Sequence, residues 1–287
     1  MKKIAYMIVA LAMVAAPMAF AESIFQLDGN IKTAGDWSTG FPIDDVGTIA
    51  VNGTVGNGNL NTSTWGTYTI NHTAGTLTGT GNHNIYNNSN GTYNQSGGNI
   101  SIGAGLFANK LTYNLSAAGT IQAANVEATN LGTFNQTGGS FTSIGTIRMY
   151  RVNNNGTNNL TGGTAVSTTA ATAFDLLSGA VNVGGDFDME FAGALLSGSA
   201  PLTFANDWTG SFTRDNYTAA EWQADLVAGT VNVGGTDITD GNFSTWFSVE
   251  NSGAAGSTLT VIPEPATLGL VAAFGGGVLF IRRRLMM

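Results

Sequence analysis

A ten-residue pattern that returns every twenty-odd positions constrains this chain more than any other feature. Thr69-Ile70-Asn71-His72-Thr73-Ala74-Gly75-Thr76-Leu77-Thr78 aligns with Thr92-Tyr93-Asn94-Gln95-Ser96-Gly97-Gly98-Asn99-Ile100-Ser101, and again with Thr133-Phe134-Asn135-Gln136-Thr137-Gly138-Gly139-Ser140-Phe141-Thr142. Looser copies begin at Thr112-Tyr113-Asn114, Thr157-Asn158-Asn159 and Ala173-Phe174-Asp175. Their anchors at 71, 94, 114, 135, 159 and 175 lie 23, 20, 21, 24 and 16 residues apart, an interval suited to one coil of a β-solenoid. Each copy carries a large apolar residue before the Asn, a small Gly or Ala turn, and a second apolar residue beyond it. Two short strands meeting at a corner follow from that order.

Alternating runs between the copies, such as Ile147-Arg148-Met149-Tyr150-Arg151 and Phe187-Asp188-Met189-Glu190-Phe191, supply third strands with one set of side chains turned inward. The expected fold is all-β: a right-handed parallel β-solenoid (β-helix) with about 20–24 residues per coil. The six copies alone would stack into a rod about 30 Å long. The recurring Asn71, Asn94, Asn114, Asn135 and Asn159 are expected as a column of side chains hydrogen-bonded from coil to coil, since Asn also tolerates the left-handed backbone of tight corners. Asn-x-Ser/Thr triplets, among them those at Asn94, Asn135 and Asn155, are read as chance products of an Asn- and Thr-rich composition.

Composition enters where it excludes alternatives. The chain has 40 glycines, no cysteine and only 10% charged residues, yet 43% of it is hydrophobic, which separates it from disordered chains of low hydropathy and high charge. Without cysteine, neither a disulfide framework nor thiol chemistry is available. Net charge is −8, and the body between Glu22 and Ile262 holds only Lys32, Lys110, Arg148, Arg151 and Arg214 against every acid but Glu264; nucleic acid is not an expected partner. From Val46 to Phe174 the charges are Lys110, Glu127, Arg148 and Arg151, whereas from Asp175 to Glu250 acids face the single base Arg214. The expected division is a leader over 1–21, an N-terminal cap with the first strands over 22–65, Asn/Gly/Thr-rich solenoid repeats over 66–185, an acidic C-terminal β segment and cap over 186–262, and a tail over 263–287. In the acidic part, Ala219 to Val227 is the best helix candidate, with Trp222 and Leu226 on one face. Gly229–Val233 and Ser257–Val261 are expected strands that close the fold.

Both ends carry transport signals. Lys2 and Lys3, the apolar run Ile4–Ala16, and Ala19-Phe20-Ala21 before Glu22 form a secretory signal peptide with cleavage between Ala21 and Glu22. At the other end, Pro263-Glu264-Pro265 leads into an uncharged run from Ala266 to Ile281 that stops at Arg282-Arg283-Arg284, the pattern of a transmembrane helix with its C-terminus in the cytoplasm. The run is short against the roughly 20 residues needed to span a bilayer, and Gly275-Gly276-Gly277 weakens it as a helix. The three parts in this order, with Val261-Ile262-Pro263-Glu264-Pro265-Ala266-Thr267 carrying the motif, resemble the PEP-CTERM sorting signal. The resemblance covers about 25 residues and departs in Ile262, where Val is more usual. It implies recognition by an exosortase, a membrane-embedded cysteine transpeptidase of bacteria that make exopolysaccharide. Export by the Sec route, transient inner-membrane anchoring and release to the cell surface or matrix follow from it. It also implies glycosylation of the Thr/Ser-rich surface. The alternative is a permanent C-terminal anchor behind a proline-rich linker.

The stretch from Asp36-Trp37 through Pro42 to Asp44-Asp45-Val46 is similar to the lead-in of β-helical surface proteins such as autotransporter passengers, which implies that Trp37 is a cap residue rather than a platform for sugar. Chemistry has few candidates. His72 and His83 have neither a second histidine nor a carboxylate at metal-ligand spacing, and no G-x-S-x-G, P-loop or dinucleotide motif is present. Catalytic residues, metal and cofactor are all expected to be absent. Asp186, Asp188 and Glu190 alternate along one strand face, with Asp175 expected one coil below. Calcium or a paired-carboxylate site stands beside the plainer reading of charges turned to solvent. Arg148, Tyr150 and Arg151 are either a contact for an anionic glycan or, for Arg148 and Tyr150, part of a solvated outer face. The expected function is therefore non-enzymatic: a structural or adhesive surface or extracellular-matrix protein whose partners are an exosortase and extracellular polysaccharide. A β-helical polysaccharide lyase or glycosidase is the alternative, because fold does not fix function.

Overall fold

The computed structural model describes residues 23–25, 29–30, 34–38, 42, 46–54, 59–61 and 67–262. The expected leader and sorting tail, with Ala19, Ala21, Glu22, Pro263, Glu264, Pro265, Arg282, Arg283 and Arg284, lie outside the described residues. Among the described residues no helix is long and apolar enough to cross a membrane.

The body is a β-solenoid of three parallel ladders. The first runs through Ser23–Ile24, Val46–Ile49, Thr69–His72 and the segments pairing around Asn94, Asn114, Asn135, Asn159 and Asn182, and ends at Leu202–Phe204 and Val231–Val233. The second stacks Gly53–Thr54, Thr76–Gly79, Asn99–Ile102, Thr120–Ala123 and their successors up to Phe212–Arg214. The third stacks Asn59–Asn61 through Val126–Thr129, Arg148–Asn153 and Thr172–Leu176 to Ala194–Gly198. About seven turns, from the one opening at Val46 to the one opening at Gly179, have a strand in every ladder. At the inter-strand spacing of about 4.8 Å, that core is about 34 Å long.

Period-two alternation explains which side chains fill the interior. In the first ladder Ile70, Tyr93, Tyr113, Phe134, Val181, Leu202 and Val231 share one register and are buried. Tyr93 stacks on Tyr113 at 4.8 Å and Tyr113 on Phe134 at 5.6 Å, within the range in which ring pairs add to plain area burial. Asn158 takes the next place in the column, fully buried, and its Nδ2 donates to the Arg151 carbonyl at 3.2 Å. The aromatic column steps sideways there to Tyr150 of the third ladder and on to Phe174.

Two residues further along each strand, the inward side chains are His72, Gln95, Leu115, Gln136, Leu160 and Val183. The polar members are tied to tyrosines. Tyr113 Oη donates to Gln95 Oε1 and Tyr150 Oη to Gln136 Oε1, both at 2.7 Å, while Tyr93 Oη lies 3.2 Å from His72 Nδ1. Gln95 and Gln136 then donate to the Thr120 and Thr164 carbonyls. Most buried polar side-chain atoms are partnered in this way, whereas His72 Nε2 and Asn158 Oδ1 are buried without a hydrogen-bond partner.

The corner after the first ladder needs left-handed backbone. Gly75, Gly98, Gly139 and Gly163 have φ of 80°, 67°, 68° and 80°, and a Cβ on Gly139 would sit 2.4 Å from the Gly119 carbonyl oxygen. Only glycine accommodates both constraints.

Parallel stacking passes residue 185 without a break. Gly179–Val183 and Asp188–Phe191, on either side of it, belong to the same coil and pair with neighbours above and below. Each ladder end is then closed. The first turns into an antiparallel pair at Thr236–Asp237, and the second is covered by antiparallel Ser257–Val261 and Phe247–Glu250. The edge of the third meets helix α1, Ala219–Ala228, where Asp225 Oδ2 accepts the Leu195 backbone N–H at 3.2 Å. Thr218 and Glu221 form a capping box at the start of α1, and Trp222 and Leu226 are buried. Covered ends remove the unpaired edges that invite aggregation. At the other end Trp37 is buried against Phe25 with ring centroids 5.3 Å apart, in the cap position and closed to sugar.

Candidate functional surfaces

The outward positions of the first ladder form the most regular surface. In its centre Asn94 Nδ2 donates to Asn71 Oδ1 at 3.0 Å, and the same bond at 2.8 Å links Asn114 to Asn94, Asn135 to Asn114, Asn159 to Asn135 and Asn182 to Asn159. The structure thus brings Asn71, Asn94, Asn114, Asn135 and Asn159 into one column. Its next member is Asn182 rather than Asp175: Asp175 lies in the third ladder, paired with Arg151 and Ser197. Val181-Asn182-Val183 lacks the leading Thr and the aromatic of the earlier copies, so the sequence pattern pointed one strand too early.

Beside the Asn column stand Thr69, Thr92, Thr112, Thr133 and Thr157 in register. On its other side come Thr73, Ser96, Ser116, Thr137 and Thr161; backbone bonds from Ser96 to His72 and from Ser116 to Gln95 carry the register one residue further, until it shifts beside Thr137. The repeating unit is Thr-x-Asn-x-Ser/Thr. The triplets at Asn94 and Asn135 therefore belong to one structural column and are not chance; Asn155 stands apart at a corner with φ of 60°. A second, shorter column at that corner, Asn109 to Asn130 to Asn154, with bonds of 2.9 and 3.0 Å, has no regular signature in sequence.

On the third ladder, register stacks Glu127, Arg151, Asp175 and Ser197. Arg151 lies 3.5 Å from Glu127 and 3.3 Å from Asp175, Arg148 lies 3.5 Å from Asp175, and Ser197 donates to Asp175 at 3.1 Å. Burial pushes the Glu127 carboxyl up, against the pull of Arg151 and Arg148. Both arginines are thus held by carboxylates within the face. Tyr150 is fully buried, not on an outer face, because alternation breaks at Met149: Met149 and Tyr150 are both inward. Interacting coils are 24 residues apart here, a separation that hid the network in the linear sequence.

The acidic end of the second ladder does not gather its carboxylates. Asp186 lies in the turn before Asp188–Phe191. Asp188 Oδ1 accepts from both the backbone N–H and the hydroxyl of Ser211 at 2.8 Å, and Glu190 lines an open cleft of about 210 Å³ with Thr213, Arg214 and Asp215. Asp175 is not one coil below them but on another ladder. Among the described residues, no three His, Cys, Asp or Glu side chains come together to hold a metal ion. Phe187, Met189 and Phe191 face the core, so the acids are the solvent side of an ordinary half-buried strand. His72 is enclosed, and burial lowers its pKa to about 4 against the opposing effect of backbone bonds at Gly75 and Ala74. Compared with protein-family models, curated proteins and solved structures, the chain has no match.

Proposed function

We propose that this chain is an exported, right-handed β-solenoid rod, sorted through its PEP-CTERM-like tail by an exosortase, with a structural or adhesive role at the cell surface or in the exopolysaccharide matrix. One observation carries the adhesive part of that reading: an uncharged Thr-x-Asn-x-Ser/Thr face repeated over five coils of a rigid scaffold. Such a face offers many weak hydrogen bonds to hydrated polymer, and tethered contacts of that kind add through effective concentration. The role of the ion network as a structural strap agrees with it, because Arg148 and Arg151 are already paired with Glu127 and Asp175.

The enzyme alternative rests on the cleft containing Glu190, Arg214 and Asp215, where a lyase or glycosidase would need a proton donor and a partner carboxylate or base. Incubating the purified protein with the host's own exopolysaccharide decides between the two. Retention of the protein on the polymer without new reducing ends or unsaturated products is the expected result. Product formation that disappears in Asp188→Ala or Glu190→Ala would replace the matrix role with depolymerisation.

A further inference from the structure

The first face has an order that adhesion to a soluble polymer does not require. Its Thr and Asn columns repeat in two dimensions, at about 4.8 Å from coil to coil and about 6.6 Å between alternate residues of a strand, and the outer Ser/Thr column follows them as far as Thr137. Asn94, Asn114, Asn135 and Asn159 each use one amide proton and the carbonyl oxygen along the column, which fixes the amide plane and leaves the second N–H directed outward. The flanking threonines are β-branched, so their χ1 freedom is small before anything binds. Among the described residues only Thr73, at 3.5 Å from the Ile49 carbonyl, has a hydroxyl partner within the protein in these two flanking columns. None of these outward positions is charged.

We propose that this face binds ice. A ligand profits from rigid two-dimensional repetition only if it repeats with similar periods, and on the prism faces of hexagonal ice the shorter oxygen spacing is close to the coil repeat and the longer one slightly exceeds the spacing of alternate residues. Sugar rings in a lectin site are commonly met by exposed aromatic side chains, whose apolar faces they cover; no described aromatic residue is among the exposed large side chains. The alternating hydroxyl, methyl and amide groups instead match a surface on which water can be held in an ordered layer. Because the side chains are already fixed, little ordering entropy is lost on contact.

The inference does not depend on the sorting tail or on glycan retention. The test is partitioning of the purified protein into a slowly growing ice body, with crystal shape and recrystallisation followed in parallel. Enrichment in ice over a non-binding reference protein, with faceted crystals, is expected. Thr112→Lys or Thr133→Lys, each in the middle of the face, should reduce partitioning to the reference level, while Thr142→Lys, outward on the second ladder, should leave it unchanged. Two substitutions on the face guard against one failing to fold, and circular dichroism checks each. Exclusion of the unmutated protein from ice would overturn the proposal, as would equal partitioning by folded Thr112→Lys and Thr133→Lys. Retention on crystalline cellulose with exclusion from ice would likewise overturn it and leave the matrix role standing.

Discussion

An interior member of the Asn column is bonded on both sides, and a terminal one on one side. Asn114→Ala removes the bonds to Asn94 and Asn135. It should cost about 1–2 kcal/mol, reduced from the fully buried case because water reaches the freed groups. Asn71→Ala removes one bond to the described column and should cost roughly half as much; urea unfolding of both variants measures the difference. Equal losses would show that the column contributes little beyond strand pairing. The buried His72 gives a pH signature. Its folded pKa of about 4 lies below the usual histidine value of 6.5, so the unfolded chain binds the proton more readily and stability falls as pH drops from about 6.5 to about 4. The full effect is roughly 3 kcal/mol. Glu127 works in the opposite direction, its carboxyl being pushed up by burial, so the informative quantity is a difference between variants. His72→Gln places in this column the residue already present at 95 and 136, and should remove the His72 share of the acid loss when unfolding is compared at pH 7 and pH 4.5.

The corner glycines set the shape of each coil. Gly139→Ala meets both a left-handed φ and the Gly119 carbonyl, whereas Gly235, in a hairpin turn with φ of 85°, has no atom within 4 Å of an added Cβ. Gly235→Ala should therefore cost about 1 kcal/mol, from the backbone alone, and Gly139→Ala at least about 2 kcal/mol more. Thermal unfolding of the pair separates conformation from collision. At this scale the sequence was informative where one signal repeated: an Asn flanked by Thr, then a Gly pair, located the first ladder and its corner. It was silent where a contact depends on register between successive coils rather than on neighbouring residues. Glu127, Arg151 and Asp175 meet because turns of 24 and then 24 residues align them. Nothing local distinguishes Arg151 from a solvated arginine, and Tyr150 reversed its expected side because one missed alternation at Met149 is invisible in a short run.

As a whole molecule the rod depends on its ends. Trp222 is fully buried, packs edge-on against Phe191 and Tyr217, and donates to Ser257 at 3.1 Å. Trp222→Ala should cost about 3–5 kcal/mol and, by loosening the cover on the last coil, should raise the proportion of dimers and larger species in sedimentation at equal concentration. A destabilised chain that stays monomeric would mean that the cap stabilises without shielding an edge. The helix could be anticipated because the spacing of Trp222 and Leu226 on one face is a local signal. The continuity of stacking through residue 185 could not, since the change in charge there alters the solvent side of the strands and leaves the inward side apolar.

The proposed function requires that the rod be released from its tail, and the mass of the C-terminal peptide of protein recovered from the native host's surface and medium tests this most directly. A terminus at or near Pro263-Glu264-Pro265, with or without an added group, is the expected result and places the body outside the membrane. Intact peptides spanning Ile281-Arg282, confined to the membrane fraction, would contradict it and make the solenoid a permanently tethered surface protein.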